Sequence, residues 1–117
     1  MRGSRGTPSV SGVSVEGRGG MRTFVVVRRG AWTTRDEARA ARRRAAIELE
    51  RFEEVACWLR SYQFEEIDGT IGSMCLYEAS SPEAIRHHSA AAALPVDEIL
   101  KVADTVVVLP DPAATAA

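Results

Sequence analysis

The chain has few of the residues that build covalent frameworks or common catalytic sites. Its 117 residues include one lysine, two histidines and two cysteines, Cys57 and Cys75. Two cysteines are too few for a disulfide scaffold, and neither belongs to a Cys-x-x-Cys pair. The sequence also contains no glycine-rich phosphate loop and no serine nucleophile elbow, so no specific motif predicts an enzyme.

Strong net charge and long apolar runs are also lacking. The formal net charge of −1 gives no basic footprint, which argues against a nucleic-acid partner. No run approaches the roughly 18 apolar residues that a membrane-spanning helix needs, so we expect no membrane partner. The first twenty residues have no sustained apolar core of the kind found in a signal peptide. We therefore expect a reduced, cytoplasmic protein.

Residues 1–20 are rich in Gly, Ser and Arg and have almost nothing to bury, which predicts a disordered extension. Codons for the Glu-Gly-Arg-Gly-Gly segment before Met21 can form a purine-rich tract that resembles a ribosome-binding site. Met21 is therefore a candidate for the true start. We also expect residues 113–117 to be a disordered tail, which leaves 21–112 as one domain.

Hydrophobic periodicity predicts six elements within this domain. In chain order they are a strand over 22–29, a helix over 33–54, strands over 56–64 and 70–79, a helix over 82–93 and a strand over 102–110. With right-handed crossovers, this order gives an α+β ferredoxin-like sandwich. Four antiparallel strands then carry both helices on one face, and the other face has no cover from its own chain.

The predicted hairpin indicates what that other face contains. If Asp68-Gly69 forms a two-residue turn, one face of the hairpin is broad and aromatic. Its main members are Trp58, Arg60, Tyr62 and Tyr77. Aromatic residues and arginine are typical of interface cores. We predict that this face lies away from the helices and forms either the contact of a homodimer, as a dimeric α/β barrel, or a small-molecule site.

The two histidines are adjacent on the second helix and therefore point about 100° apart. His88 falls in the middle of the inner stripe, whereas His87 lies at its edge toward solvent. Metal-binding pairs on a helix prefer a spacing of i and i+4, so the doublet does not predict a shared ion. Spacing alone leaves His88 as either a buried histidine with a hydrogen-bond partner or a ligand or acid–base group.

Carboxylates near this helix would complete a metal site. The candidates are Glu78, Glu83, Asp97 and Glu98. Histidine together with carboxylates suits a borderline divalent ion such as nickel or zinc, although this combination is not a specific signature.

Three segments of the sequence resemble a family of small bacterial ferredoxin-like proteins of unknown function that includes nickel-binding, nickel-responsive members. They are WLRSYQF, MCLYEASSPEAIRHHSAAAALPVDEI and VVVLPDP. The resemblance implies a dimer and places the family's histidine on His88. At the position before Pro95, where nickel-binding members can have a further histidine, this chain has Leu94. His87 would have to replace that ligand.

These observations leave three functions open. The first is a small cytoplasmic protein that binds nickel or another divalent metal through His88, His87 and the neighbouring carboxylates. The second is a dimeric barrel that binds or transforms a small molecule on the aromatic sheet face. The third is an interaction module without a ligand.

Overall fold

A computed structural model describes residues 20–112, and its elements follow the predicted order. The strands are β1 Arg22–Trp32, β2 Ala56–Glu65, β3 Ile71–Ala79 and β4 Glu98–Lys101, and the helices are α1 Arg35–Leu49, continued by a 3₁₀ turn Glu50–Phe52, and α2 Pro82–Ala91. The sheet order is β2-β3-β1-β4, and every neighbouring pair is antiparallel. This arrangement confirms the ferredoxin-like α+β fold. Disorder was predicted for 1–20 and 113–117, and all of these residues except Gly20 lie outside the described part of the chain.

Both helices begin directly after a residue whose side chain caps the first turn. The hydroxyl of Thr34 accepts a hydrogen bond from the Glu37 amide at 3.1 Å, and Ser81 does the same for Ala84 at 3.2 Å. Pro82 fits the first turn of α2 because its missing N–H would have no helical partner there. Each cap satisfies one of the amides that a helix start otherwise leaves unpaired.

The main core lies between the sheet and the two helices. Small alanines on α1 bring that helix close to the strands, and Ile85 of α2 packs among the buried strand residues. The buried members of this cluster are Phe24, Val26, Ala56, Cys75, Tyr77, Ala79 and Ile85. Alternation along β1 therefore places Phe24 and Val26 on the covered face, and Val25 and Val27 on the open face.

The last strand differs from the prediction over 102–110. β4 is instead the earlier segment Glu98–Lys101. It pairs antiparallel with β1, with Glu98 opposite Val27 and Lys101 opposite Phe24. One further hydrogen bond joins the Val102 amide to the Thr23 carbonyl at 2.9 Å, after which the chain leaves the sheet. The apolar run at 106–109 remains 72–84% exposed. Its valines have the composition of a strand, but pairing along β1 ends before the run begins.

The β2–β3 hairpin also departs from the two-residue turn expected at Asp68-Gly69. The Glu66 amide donates to the Thr70 carbonyl, and the Gly69 amide donates to the Glu66 carbonyl, so three residues form the loop. Gly69 closes it with φ of +89°, a conformation that favours glycine. A bulge between Trp58 and Arg60 then shifts the register again. Side chains on the two sides of the bulge therefore do not follow one alternation.

A close contact inside this hairpin fixes the position of one glycine. Gly72 pairs with Phe64, whose ring lies over it. A Cβ at position 72 would stand 2.6 Å from the ring and 2.7 Å from the Arg28 carbonyl oxygen. The sheet therefore has no room for a side chain at this position.

Candidate functional site

The aromatic set predicted for one face of the sheet is divided between both faces. Trp58 stacks on Tyr77 with ring centroids 6.2 Å apart, and Tyr77 in turn contacts the His88 ring from α2. These two aromatic residues therefore lie under the helices. Beyond the bulge, Arg60 and Tyr62 pair with Leu76 and Met74 on the open face. The prediction of one aromatic face assumed a regular strand, and the bulge at Leu59 separates its members.

His88 is fully buried beneath α2. Its Nε2 lies 2.8 Å from the carbonyl oxygen of Ala45 and donates to it, which joins the two helices. The Nδ1 atom has no hydrogen-bond partner within residues 20–112. Burial lowers the pKa of the ring, the bond to Ala45 opposes this, and the positive charge of Arg28 lowers the pKa further. The same burial and the same neighbouring charge disfavour a metal cation at this ring.

His87 is exposed on α2, as the divergence of adjacent helical residues predicts. Glu83 is also exposed and lies four residues earlier on the same helix. Side chains at i and i+4 are neighbours on a helix surface, so the imidazole and this carboxylate are within reach of one ion. They are two accessible candidate ligands on one stretch of chain.

The other three candidate carboxylates lie elsewhere. Glu78 is buried on the open side of the sheet, opposite Cys57 on β2, and has interactions of its own. Asp97 accepts a hydrogen bond from the Arg29 amide at 2.7 Å. Glu98 pairs with Val27 on β1, whereas the start of α2 follows Ala79, which pairs with Arg22. Val27 and Arg22 are five residues apart along the strand, which is a distance of ~17 Å. Within residues 20–112, no group of three His, Cys, Asp or Glu side chains is placed to hold a metal ion.

A buried arginine, which the sequence analysis did not select, lies beside these core aromatics. Arg28 is 1% exposed and donates to Ser89 Oγ at 2.8 Å and to Cys75 Sγ at 3.5 Å. The Cys75 thiol also contacts Ser61 Oγ at 3.0 Å. Burial, and secondarily Cys75, raises the pKa of Tyr77 to about 12, although Arg28 opposes the rise. The phenol therefore remains a neutral hydrogen-bond donor at physiological pH.

A small cavity opens beside this arginine. Its volume is about 20 Å³, and it lies on the side of the sheet that the helices cover. Arg28, Trp58, Ser61, Ser73, Cys75 and Tyr77 form its strand side, and Ala41 and Ala45 form its α1 side. The inward alternation Phe24, Val26, Arg28 on β1 was the sequence signal that could have identified this arginine.

The open face is largely apolar. Val25, Val27 and Leu76 are half-buried there, whereas Met74 and Leu100 are 40% and 47% exposed. The C-terminal segment returns across the molecule to this face, where Asp111 bonds to Arg60 at 2.7 Å and accepts from the Tyr62 hydroxyl.

Among residues 20–112, no helix is long and apolar enough to cross a bilayer.

Comparison with known proteins places this fold in a family. A family model described as nickel responsive protein SCO4226-like matches residues 24–102. The crystal structure of SCO4226 from Streptomyces coelicolor A3(2) is similar, with a TM-score of 0.56 and 24% identity, covering 72% of this chain and 99% of that chain. A search of curated proteins found no match. Because the family model spans more than half of the sequence, the chain belongs to the family of nickel-responsive proteins similar to SCO4226.

Proposed function

We propose that the protein is a small cytoplasmic nickel-binding protein that acts as a homodimer. Two observations support a metal role: the description of the family as nickel responsive, and the exposed Glu83–His87 pair on α2. The Glu83–His87 pair is the main support for this chain, because imidazole and carboxylate groups suit a borderline divalent ion. His87 is the anchoring ligand and Glu83 the second ligand.

This proposal moves the anchoring ligand from His88 to its neighbour. A metal on His88 would need either the Nε2 atom that already holds Ala45 or the Nδ1 atom that is buried near Arg28. His87 has neither restriction because its ring faces solvent. Two side chains do not complete the coordination of nickel, so water or a second copy of the chain supplies the remaining ligands.

The homodimer is supported by the open face of the sheet. Apolar side chains on all four strands remain partly exposed there, and the apolar run at 106–109, which precedes the contact of Asp111 with Arg60, is also exposed. The exposed members of the face are Tyr62, Met74 and Leu100. A second copy that covers the sheet would bury both the face and the run, which removes apolar surface from water.

Calorimetric titration of nickel chloride into tag-free protein tests the metal role. We expect saturable heat with the wild type, no saturable heat with His87→Ala, and at least a fivefold weaker affinity with Glu83→Gln. His87→Ala removes the anchoring imidazole, whereas Glu83→Gln removes one charged oxygen donor and leaves that imidazole in place.

Two further variants are controls for this titration. Glu98→Gln removes a carboxylate at the far end of the sheet and should bind nickel as the wild type does. His88→Gln should also bind nickel with unchanged affinity, provided that its circular dichroism shows a folded protein. Wild-type affinity in His87→Ala would exclude the proposed ligand, and absence of heat in every protein would exclude nickel binding.

A further inference from the structure

The buried positive charge of Arg28 has no counter-ion within the described part of the chain. Its guanidinium is 1% exposed, and the groups beside it, the Ser89 hydroxyl, the Cys75 sulfur and the Tyr77 phenol, carry no formal negative charge. Within residues 20–112, no carboxylate forms an ion pair with it, and its Nε has no hydrogen-bond partner. A buried charge without a counter-ion is costly, so this arrangement indicates a role for the charge.

A second donor beside the same cavity also lacks a partner. The Nε1 atom of Trp58 is buried and makes no hydrogen bond within the described part of the chain. Trp58 and Arg28 both line the cavity under α1. Indole N–H groups usually find an acceptor when they are buried. Two unpaired donors, one of them cationic, therefore adjoin one space.

The charged residues that line the cavity are all positive. Two arginines line it, Arg28 inside and the half-buried Arg42 of α1 nearer solvent, and no aspartate or glutamate is among the lining residues. The hydroxyls of Ser61 and Ser73 add further polar groups. Such a wall attracts anions and repels cations.

We propose that this cavity is a binding site for a small monocarboxylate, with Arg28 as its anchor and the Trp58 N–H as a second donor. A carboxylate has two coplanar oxygens that match the fork of a guanidinium. The volume of about 20 Å³ is only somewhat above the about 10–15 Å³ that one water requires, so the enclosed space receives the carboxylate oxygens and the alkyl end of the ligand lies toward its mouth. The stacked rings of Trp58 and Tyr77 provide an apolar wall for a short alkyl end.

Intrinsic fluorescence tests this site directly because the only two tryptophans, Trp32 and Trp58, both line the cavity. Sodium acetate is titrated into the protein at constant ionic strength, with sodium chloride as the replacement salt. We expect a saturable change in emission and a shift of the Arg28 Nε–H signal in a nitrogen-15 correlation spectrum. No saturable change and no shift with acetate would overturn the proposal.

Two variants at neighbouring positions separate the site from a general salt effect. Arg28→Met keeps an apolar stem and removes the unpaired charge, so it should fold and bind acetate at least tenfold more weakly. Arg29→Met removes an exposed arginine that pairs with Glu66, and its acetate response should equal that of the wild type. Equal responses in all three proteins would overturn the proposal.

A third variant and a second anion complete the test. Trp58→Phe keeps the ring stack and removes the N–H, so it should bind acetate severalfold more weakly with Trp32 as the remaining reporter. It serves as the deciding variant if Arg28→Met does not fold, and unchanged acetate affinity in it would then count against the site. Inorganic phosphate is tetrahedral and larger, so binding of phosphate without acetate would overturn the assignment of a carboxylate.

Discussion

Both faces of the sheet depart in part from the usual relation between polarity and exposure. The apolar core under the helices also buries Arg28 and Ser73 of the sheet and His88 of α2, whereas the face without helices presents Met74 and Leu100 to solvent. A sheet with one covered face normally has apolar side chains inside and polar ones outside. The difference suggests that neither face is complete in a single chain without a ligand.

Each departure from the usual pattern has its own physical meaning. Buried polar groups need partners, and on the covered face most of them have one, such as the bond from His88 to Ala45. Exposed apolar groups need cover instead, because their removal from water lowers the free energy of the system. The covered face therefore favours a polar ligand, and the open face favours a second apolar surface.

The largest effect should come from removing the polar group that joins the two helices. His88→Ala deletes a buried ring that contacts Phe52 and Tyr77, and it leaves the Ala45 carbonyl without its donor. We expect a loss of about 3 kcal/mol in the free energy of unfolding, measured by urea denaturation. His87→Ala is the matched control and should change stability by less than about 0.5 kcal/mol. Similar losses in both would show that the buried ring has no special role.

A charge placed on the open face should change association more than folding. Met74→Lys introduces an ammonium group among apolar side chains of β1 and β3. If a second copy covers this face, the dissociation constant of the dimer should rise about thirtyfold, or ~2 kcal/mol, in sedimentation velocity. Ile47→Lys, at an exposed position on α1, is the control and should leave association unchanged. A monomeric wild type would refute the homodimer.

The smallest expected effect is the dependence of stability on pH that arises from His88 under the helices. Burial holds the pKa of His88 below its usual value near 6.5, and the groups that act on it are Arg28 from β1, Glu48 from α1 and the Ala45 carbonyl. As the pH falls below about 6.5, the unfolded chain takes up a proton that the folded ring resists. The free energy of unfolding should therefore decrease, by at most about 1.4 kcal/mol per pH unit, and this group should have no effect above that pH.

Denaturation curves at a series of pH values measure this slope. His88→Gln should lack the contribution, and His87→Ala should keep it. An identical slope in His88→Gln and the wild type would assign the pH dependence to other groups.

Local patterns predicted the order of the elements, the approximate starts of both helices and the separation of the two histidines. These features depend on residues that are close in sequence, such as Thr34 with Glu37. The position of β4 was wrong because four consecutive apolar residues resemble a buried strand, whereas pairing along β1 selects Glu98–Lys101. That choice is a tertiary one, and no local pattern encodes it.

The functional residues were harder to predict than the fold. A one-residue bulge at Leu59 moved Trp58 and Arg60 to different faces, which divided the proposed aromatic face. Register of this kind depends on contacts across the hairpin rather than on composition. Arg28 was missed for another reason: an arginine that follows an apolar run is usually exposed, and the alternation with Phe24 and Val26 that places it inward was not followed past the valines.

The contact between Gly72 and Phe64 has a consequence for how related sequences vary together. Gly72 has no positive φ, so its backbone alone would accept alanine, and the constraint comes from the ring above it and the Arg28 carbonyl oxygen beneath. Substitution at 72 and substitution at 64 should therefore be correlated among relatives. A glycine retained opposite an aromatic residue would record this packing, and it should not be taken as a mark of ligand binding.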